Sequence, residues 1–405
     1  MEPSKLTRRG FMERGMAASV GLGLGAMAPG AAAAPGLTSE PVRLGAAEKL
    51  RVAILGCGNR SKTHIRAVNH YADKMEVVAL CDIIPEKLEE KKRLVESGAP
   101  RLYTDYDKML AEGDDIHAVA VVLPNTVHKA GTVASLDAGK HVLCEKPLTI
   151  TLAQTQAIID AADRTGRIVQ VGTQSRHAPG YQFLAEKLRA GLLGEVLYGW
   201  AQTFRADWRK LYPDPEVDSK KNWRMKQSEG GSIVYEMGIH TIDVFNWFIH
   251  SEPVEVTSLG GVHNSRLQTR DSWDHASVAV RYANGAMLNY GGNLYACGGP
   301  GPDVLFGDGA SLEIGGRGAR QTTLYKRPYW RPYGKGGGPV SKETIELPGM
   351  SADPSILQYA HFLDAVQGKK PPFPSARDHR PAVLIARASQ LSETEGRHIQ
   401  ASEVT

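Results

Sequence analysis

Cysteine is scarce in this 405-residue chain: Cys57, Cys81, Cys144 and Cys297 are the full set. No two of them form a C-x-x-C pair and no H-E-x-x-H occurs among the thirteen histidines, which argues against a dedicated metal centre. Three of the four cysteines fall at predicted strand ends within one domain, where small apolar residues are wanted. They read as buried thiols, with a Cys57–Cys81 bridge as the alternative. Charge of one sign is also missing. The net charge is +4, and Lys5, Arg8, Arg9 and Arg14 against Glu2 and Glu13 supply two units of it, so no basic stripe remains to hold nucleic acid. Long runs rich in Leu, Ile and Phe are absent as well. The weakly apolar stretch from Gly15 to Ala34 is mostly Gly and Ala, which counts against a transmembrane anchor. What remains is 42% hydrophobic and 23% charged, the balance of a soluble globular chain, and its length suits two domains.

Residues 1–35 form a segment apart. Thr7-Arg8-Arg9-Gly10-Phe11-Met12 resembles the twin-arginine export signal, and the Gly/Ala run after it ends in A-A-A-A-P at Pro35. A charged start, an apolar middle and a small-residue cleavage site mark a targeting segment to be set aside from fold reasoning. The resemblance implies the twin-arginine translocation machinery as a partner and a periplasmic or secreted destination, with no stable membrane insertion after processing. That route carries folded proteins, often loaded with a cofactor. The cleavage point stays open, since Pro35 suits the first mature position poorly.

From residue 49 the pattern alternates strand and helix. Arg51–Leu55, Glu76–Cys81, Leu102–Tyr103, Ile116–Leu123, His141–Cys144 and Ile168–Val171 are apolar strand candidates. Glu86–Ser97, Thr132–Ala138 and Leu152–Thr165 are helical. Near-continuous apolar strands joined by helices predict a doubly wound parallel sheet covered on both faces, over 49–172. After Gly172 the strands lengthen and alternate: Leu197–Arg205, Val254–Val262, Ala276–Tyr282 and Ala286–Tyr290, the last two joined by the hairpin signal Asn284-Gly285. One strong helix, Ile233–Phe248, interrupts them. Gly298–Pro302 and Arg327–Pro339 read as long loops, and Ser355–Val366 and Pro381–Leu391 as closing helices. Residues 173–405 thus predict an α+β domain with an open, mainly antiparallel sheet, whose last helices have room to pack back on the first domain. The fold class is α/β overall.

Three motifs carry chemistry. Gly56-Cys57-Gly58-Asn59-Arg60-Ser61 follows a strand and opens a helix, as a dinucleotide site requires: a tight turn, close backbone approach to pyrophosphate, and a helix N-terminus. Ser61 stands where a third glycine is usual and is small enough to keep the helix near the strand. Asp82, at the end of the second strand, can accept ribose hydroxyls and repel a 2′-phosphate, which favours NAD while NADP stays open. Glu145-Lys146-Pro147 lies just past the fifth strand, outside the carboxyl ends where ligands bind, so Lys146 can point at a substrate oxygen. Gly230-Gly231-Ser232 leads into a helix on which Glu236 and His240 share a face, with Asp243 one turn on. A carboxylate beside an imidazole can orient it for general-base work; a capped helix with a satisfied polar face is the plainer account.

Together, G-x-G, L-P-N-T-V-H after the fourth strand, E-K-P after the fifth and GG-x-x-x-[D/E]-x-G-x-H-x-x-D resemble the glucose–fructose oxidoreductase, inositol dehydrogenase and rhizopine-catabolism (Gfo/Idh/MocA) family, from about Leu50 to the C-terminus. The resemblance implies a Rossmann domain, a second domain whose open sheet floors the active site, and Lys146 with His240 as the catalytic pair. Glu236, where the family usually has Asp, is implied to bind substrate or orient His240. Pro124, Asn125 and His128 are implied near the nicotinamide, with Gln174 beside it. Glu145 and Asn59 join the cofactor set, and Asp243 the substrate set. Arg176 could reach the nicotinamide or substrate or be an ordinary salt-bridge partner. Trp200, Trp208, Trp223 and Arg224 could line a carbohydrate cleft, with core packing the alternative for any one Trp.

The activity implied is hydride transfer between a sugar, polyol or glycoside hydroxyl and a tightly bound nicotinamide. His240 would accept the proton and Lys146 would stabilise the developing alkoxide. Because NAD is scarce outside the cytoplasm, an exported enzyme of this kind would retain its cofactor and recycle it, for instance on a second sugar. The alternatives are a glycoside hydrolase working by transient oxidation and elimination, and a non-catalytic carbohydrate-binding protein. Family members commonly self-associate, so a homo-oligomer is implied.

Overall fold

The computed structural model describes residues 41–45, 48–96, 98–205, 223–262, 271–296, 301–315, 321–326, 340–349 and 352–405. The expected export signal, Trp208, Cys297, Ser97 and most of the two predicted loops lie outside the described residues.

Six short strands form the first sheet: β1 Leu50–Leu55, β2 Met75–Cys81, β3 Arg101–Tyr103, β4 Ala118–Val121, β5 His141–Cys144 and β6 Val169–Val171. All pair in parallel, in the order β3-β2-β1-β4-β5-β6. Helices α1 Ser61–His70, α2 Pro85–Lys92, α3 Tyr106–Ala111, α4 His128–Asp137 and α5 Leu152–Thr165 connect them. Both faces of β1 are buried: Leu50, Val52 and Ile54 belong to one apolar cluster, Ala53 and Leu55 to another on the opposite face. That two-sided burial is why these strands are apolar without alternation. The strand order reverses between β1 and β4, so their carboxyl ends frame the crevice where a ligand fits. Helix α2 stops at Lys92, short of the expected Ser97, in turns where Leu94 N–H donates to Lys91 O and Val95 N–H to Lys92 O.

Beyond helix α6 Pro179–Arg189 lies a nine-stranded sheet: β7 Val196–Phe204, β8 Pro253–Gly261, β9 His275–Tyr282, β10 Met287–Asn293, β11 Asp303–Gly307, β12 Ala310–Gly315, β13 Gln321–Lys326, β14 Ser341–Ile345 and β15 Ile399–Gln400. The order is β14-β13-β12-β11-β7-β10-β9-β8-β15, and every pairing is antiparallel except β7 with β10. The β9–β10 hairpin turns at Asn284-Gly285, with Gly285 at φ +87°. Helices α6, α7 Ile239–Ile249 and α9 Ala376–Glu395 cover one face. On the other face Trp200, Leu259, Met287 and Phe306 stand exposed.

Two helices differ from expectation. The stretch beginning at Ile233 is a π-helical turn over Val234–Gly238 before α7, with Ile239 N–H reaching back to Val234 O. Helix α9 starts well before Pro381, because Ser375 and Asp378 form a reciprocal capping box. Pro381 then sits inside the helix, where it removes one backbone donor. Strands β11 to β14 were not anticipated as strands at all. Helix α8 Pro354–Val366 lies against α1, far back in the chain.

Candidate active site

The turn after β1 is shaped by two glycines with different needs. Gly56 has φ +101°, and a Cβ there would lie 2.4 Å from Val122 O at the end of β4, so protein packing demands glycine. A Cβ on Gly58 would meet nothing within 4 Å. The chain itself leaves that space open, as a cradle for pyrophosphate above the start of α1 would be. Ser61 Oγ donates to Gly58 O at 2.6 Å and closes the turn. Asp82 Oδ2 accepts Cys57 N–H at 2.7 Å and Oδ1 accepts Ile84 N–H at 3.0 Å, which fixes the carboxylate beside the loop. Next to it Ile83 is 84% exposed, an apolar face suited to adenine that alternation alone did not single out. These residues fit a dinucleotide. Asn59 stands exposed at the same turn. Burial pushes the thiols of Cys57 and Cys81 up to about 12, and both, with Cys144, are free and inert.

Arg60, at the head of α1, reaches inward. Its Nε donates to Glu145 Oε1 at 2.6 Å and its Nη2 to Gln174 Oε1 at 3.2 Å. His64 Nε2 also meets Glu145 Oε1 at 3.0 Å, while His64 Nδ1 meets the Tyr359 hydroxyl at 2.8 Å. Burial would raise the Glu145 carboxyl, but Arg60 and His64 hold it well below the usual carboxylate range. Glu145, expected as a cofactor contact, is therefore a buried anchor behind Lys146, whose N–H it accepts at 3.2 Å.

Lys146 Nζ donates to the backbone carbonyl of Glu236 at 2.8 Å, in the π-helical turn that precedes His240. Such wide turns are frequent at functional sites. Burial lowers the Lys146 ammonium from its ordinary range, against the pull of Glu236 and Glu145. Glu236 Oε1 accepts from Asn125 Nδ2 at 3.0 Å and Oε2 from Arg224 Nε at 3.0 Å. Burial raises this carboxyl, yet Lys146 and Arg224 bring it below its normal value, so it is charged. Arg224 in turn lies over the Trp223 ring at 4.4 Å. A Cβ at Gly231 would lie 2.1 Å from Arg224 O, and at Gly238 2.6 Å from the Tyr290 ring, so the glycines of this motif admit close neighbours. His240 lines a cleft of about 350 Å³ with Gln174, Ser175, Tyr181, Thr241 and Asp303.

Lys146, Glu236, Asn125, Arg224 and Trp223 thus come together, with Gln174 and His240 on the adjoining cleft. Three expected contacts do not. Arg176 and Asp243 form a fully buried bidentate pair, Nε to Oδ2 at 2.7 Å and Nη2 to Oδ1 at 3.0 Å, with His379 Nδ1 on the same carboxylate at 2.9 Å. Although burial opposes its charge, Arg176 and His379 bring Asp243 to about 2. The pair clamps α7 instead of facing a substrate. His128 spans two carbonyls, Pro147 O and Leu123 O, each at 2.8 Å, and clips two loops together; against burial, Cys144 and these carbonyls raise it to about 9. Pro124 is exposed at the crevice. Trp200 stands 47% exposed on the open sheet face, neither in the core nor in the cleft. Among the described residues no group of acidic, His or Cys side chains could hold a metal, and no helix is long and apolar enough to cross a membrane.

Residues 50–173 match the model of an oxidoreductase family, GFO/IDH/MocA, described as an NAD-binding Rossmann fold, and residues 181–317 match a C-terminal domain model of the same family. The chain is 30% identical to inositol 2-dehydrogenase of Salmonella typhimurium (strain LT2) over 206 residues, 50% of this chain and 55% of that protein. It thus spans about half the length of the curated relatives of that name. It is 25% identical to D-apiose dehydrogenase of Paraburkholderia graminis over 87% of this chain and 90% of that one. Aldose-aldose oxidoreductase from Caulobacter crescentus, solved with glycerol, superposes with a TM-score of 0.71 at 23% identity, covering 87% of this chain and 100% of that one, a likeness of fold.

Proposed function

The chain belongs to the GFO/IDH/MocA oxidoreductase family, and from that premise we propose that it is an exported oxidoreductase acting on a hydroxyl of a sugar or polyol with a retained NAD. The observation that carries this reading is Lys146: a buried ammonium, held by the Glu236 carbonyl, beside a helix that presents His240 to a cleft. Relatives named for inositol and apiose dehydrogenation support the substrate class.

A dinucleotide held by its pyrophosphate at the Gly56–Ser61 turn would supply the hydride acceptor through its nicotinamide. His240 takes the hydroxyl proton, and Lys146 stabilises the negative charge left on that oxygen. Glu236, charged and fixed by Asn125 and Arg224, keeps Lys146 protonated although burial works against it. The twin-arginine-like Thr7–Met12 supports export after folding, and an exported enzyme needs a cofactor that stays bound. The open sheet face, with Trp200, Leu259, Met287 and Phe306 outward, supports self-association. Lys146→Met should retain NAD, measured by mass spectrometry after denaturation, and lose turnover by a factor of about 10³ or more on a sugar panel. Full activity in that variant sinks the assignment.

A further inference from the structure

Asp303 opens β11 and shares the inner sheet face with Leu305, its neighbour two residues on, so its carboxylate looks toward α7. It lines the same cleft as His240, Thr241 and Gln174. One oxygen, Oδ1, accepts the backbone N–H of Gln202 at 2.8 Å. The other has no partner among the described residues, and among them no Lys or Arg lines the cleft. The titratable groups that face it there are His240 on α7, Tyr181 on α6 and Asp353 at the head of α8. Asp353 is itself engaged, accepting Ser355 N–H and pairing with Arg66. Burial with only one backbone donor raises the Asp303 carboxyl to about 7. A carboxylate so placed lacks donors, and the hydroxyls of a bound sugar would supply them.

We propose that Asp303 is the specificity-determining residue of this cleft, accepting hydroxyls of a neutral sugar or polyol away from the reacting carbon and turning away sugars that carry a carboxylate. The proposal rests on the oxidoreductase reading for its substrate class, but selection by charge is independent of turnover. Above about pH 7, where Asp303 is charged, repulsion follows from placing a second anion beside it with no cation among the described lining residues to offset it. Asn at this position keeps the shape and the Gln202 hydrogen bond while removing the charge.

The test, at about pH 8.5 where Asp303 is charged, is calorimetric binding of D-glucose, D-galactose and myo-inositol, and of D-glucuronate and D-galacturonate, to NAD-loaded wild type and Asp303→Asn, with absorbance of the bound nicotinamide followed in the same samples. Unchanged NAD content certifies the fold of the variant. The wild type should bind at least one neutral probe and prefer it over the uronates. In the variant, affinity for that probe should fall about tenfold and the preference over the matching uronate should shrink by a similar factor. Equal affinities in both proteins, a wild type that prefers uronates, or one that binds no neutral probe overturns the role of Asp303. Binding with the expected preference but no change in nicotinamide absorbance overturns the oxidoreductase reading and leaves the selection by charge standing.

Discussion

Glu145 and Asp303 are both carboxylates drawn into the protein beside the reacting groups, one past the end of β5 and one at the start of β11. Glu145 accepts from Arg60, His64 and the Lys146 backbone, and it is charged far below neutrality. Asp303 accepts from one backbone N–H, no cation among the described residues lines its cleft, and its carboxyl rises to about 7. Glu145 is buried and Asp303 partly so, and they differ above all in company. Charge held from several sides fixes the geometry of a reacting group; charge left with one donor is free to answer a ligand.

The contrast also reverses the response of stability to pH. Glu145 has a depressed folded value, so its contribution is present above the unfolded pKa of about 4.3 and is lost as pH falls through the folded value. Asp303 has a raised one, so its contribution is present below about 3.9 and is lost as pH rises through about 7.

The sharpest way to break the comparison is Glu145→Ala, which leaves Arg60 and His64 facing each other without their anion. It should lower unfolding free energy by about 3–5 kcal/mol in denaturant titrations. A variant as stable as wild type would mean that the cage is not the anchor described. Next, Glu236→Gln keeps the shape but removes the charge that holds Lys146 protonated. The alkaline limb of the kcat profile should move down by about one pH unit, with NAD content unchanged. A profile that stays in place would assign that role to Glu145 alone. The smallest effect belongs to Asp303→Asn: at pH 8 its unfolding midpoint should match or exceed that of wild type, and the decline in stability between about pH 4 and about 7 should flatten. A clear loss of stability at pH 8 would mean that the carboxylate is structurally partnered after all.

How far the sequence could be read follows the same division. Strands β1, β2, β4 and β5 are legible because both of their faces are buried, and β8 to β10 because one face is; Asn284-Gly285 marks the hairpin between β9 and β10. Strands β11 to β14 escaped because the sheet runs out beyond its helical cover: Ser341, Lys342, Glu343 and Thr344 are exposed in succession, and Gly307-Asp308-Gly309 hides a tight turn between β11 and β12. Asp303 lies with them in a Gly/Pro-rich stretch, although the apolar run Val304-Leu305-Phe306 after it is the available sign of a strand. The motif residues Lys146, Glu236 and Asn125 converge as a motif-based reading expects. Arg176 and Asp243 show where such a reading stops. A polar residue one turn beyond a reactive histidine says nothing about whether it faces the cleft or, as here, an arginine behind it. The π-helical turn likewise leaves no mark on periodicity.

The hydrogen bond from Tyr359 to His64 joins residues 295 positions apart, and Arg66 meets Asp353 across 287. Val171 N–H, on the last strand of the parallel sheet, donates to Pro374 O at 2.8 Å. The parallel-sheet domain is therefore finished by residues 353–374, far downstream of its own strands. Contacts of such long range form late, since loop closure must precede them. The support behind Lys146 closes only once Asp353 and Tyr359 are in place. Loss of the segment that carries them would thus strike the parallel-sheet domain first.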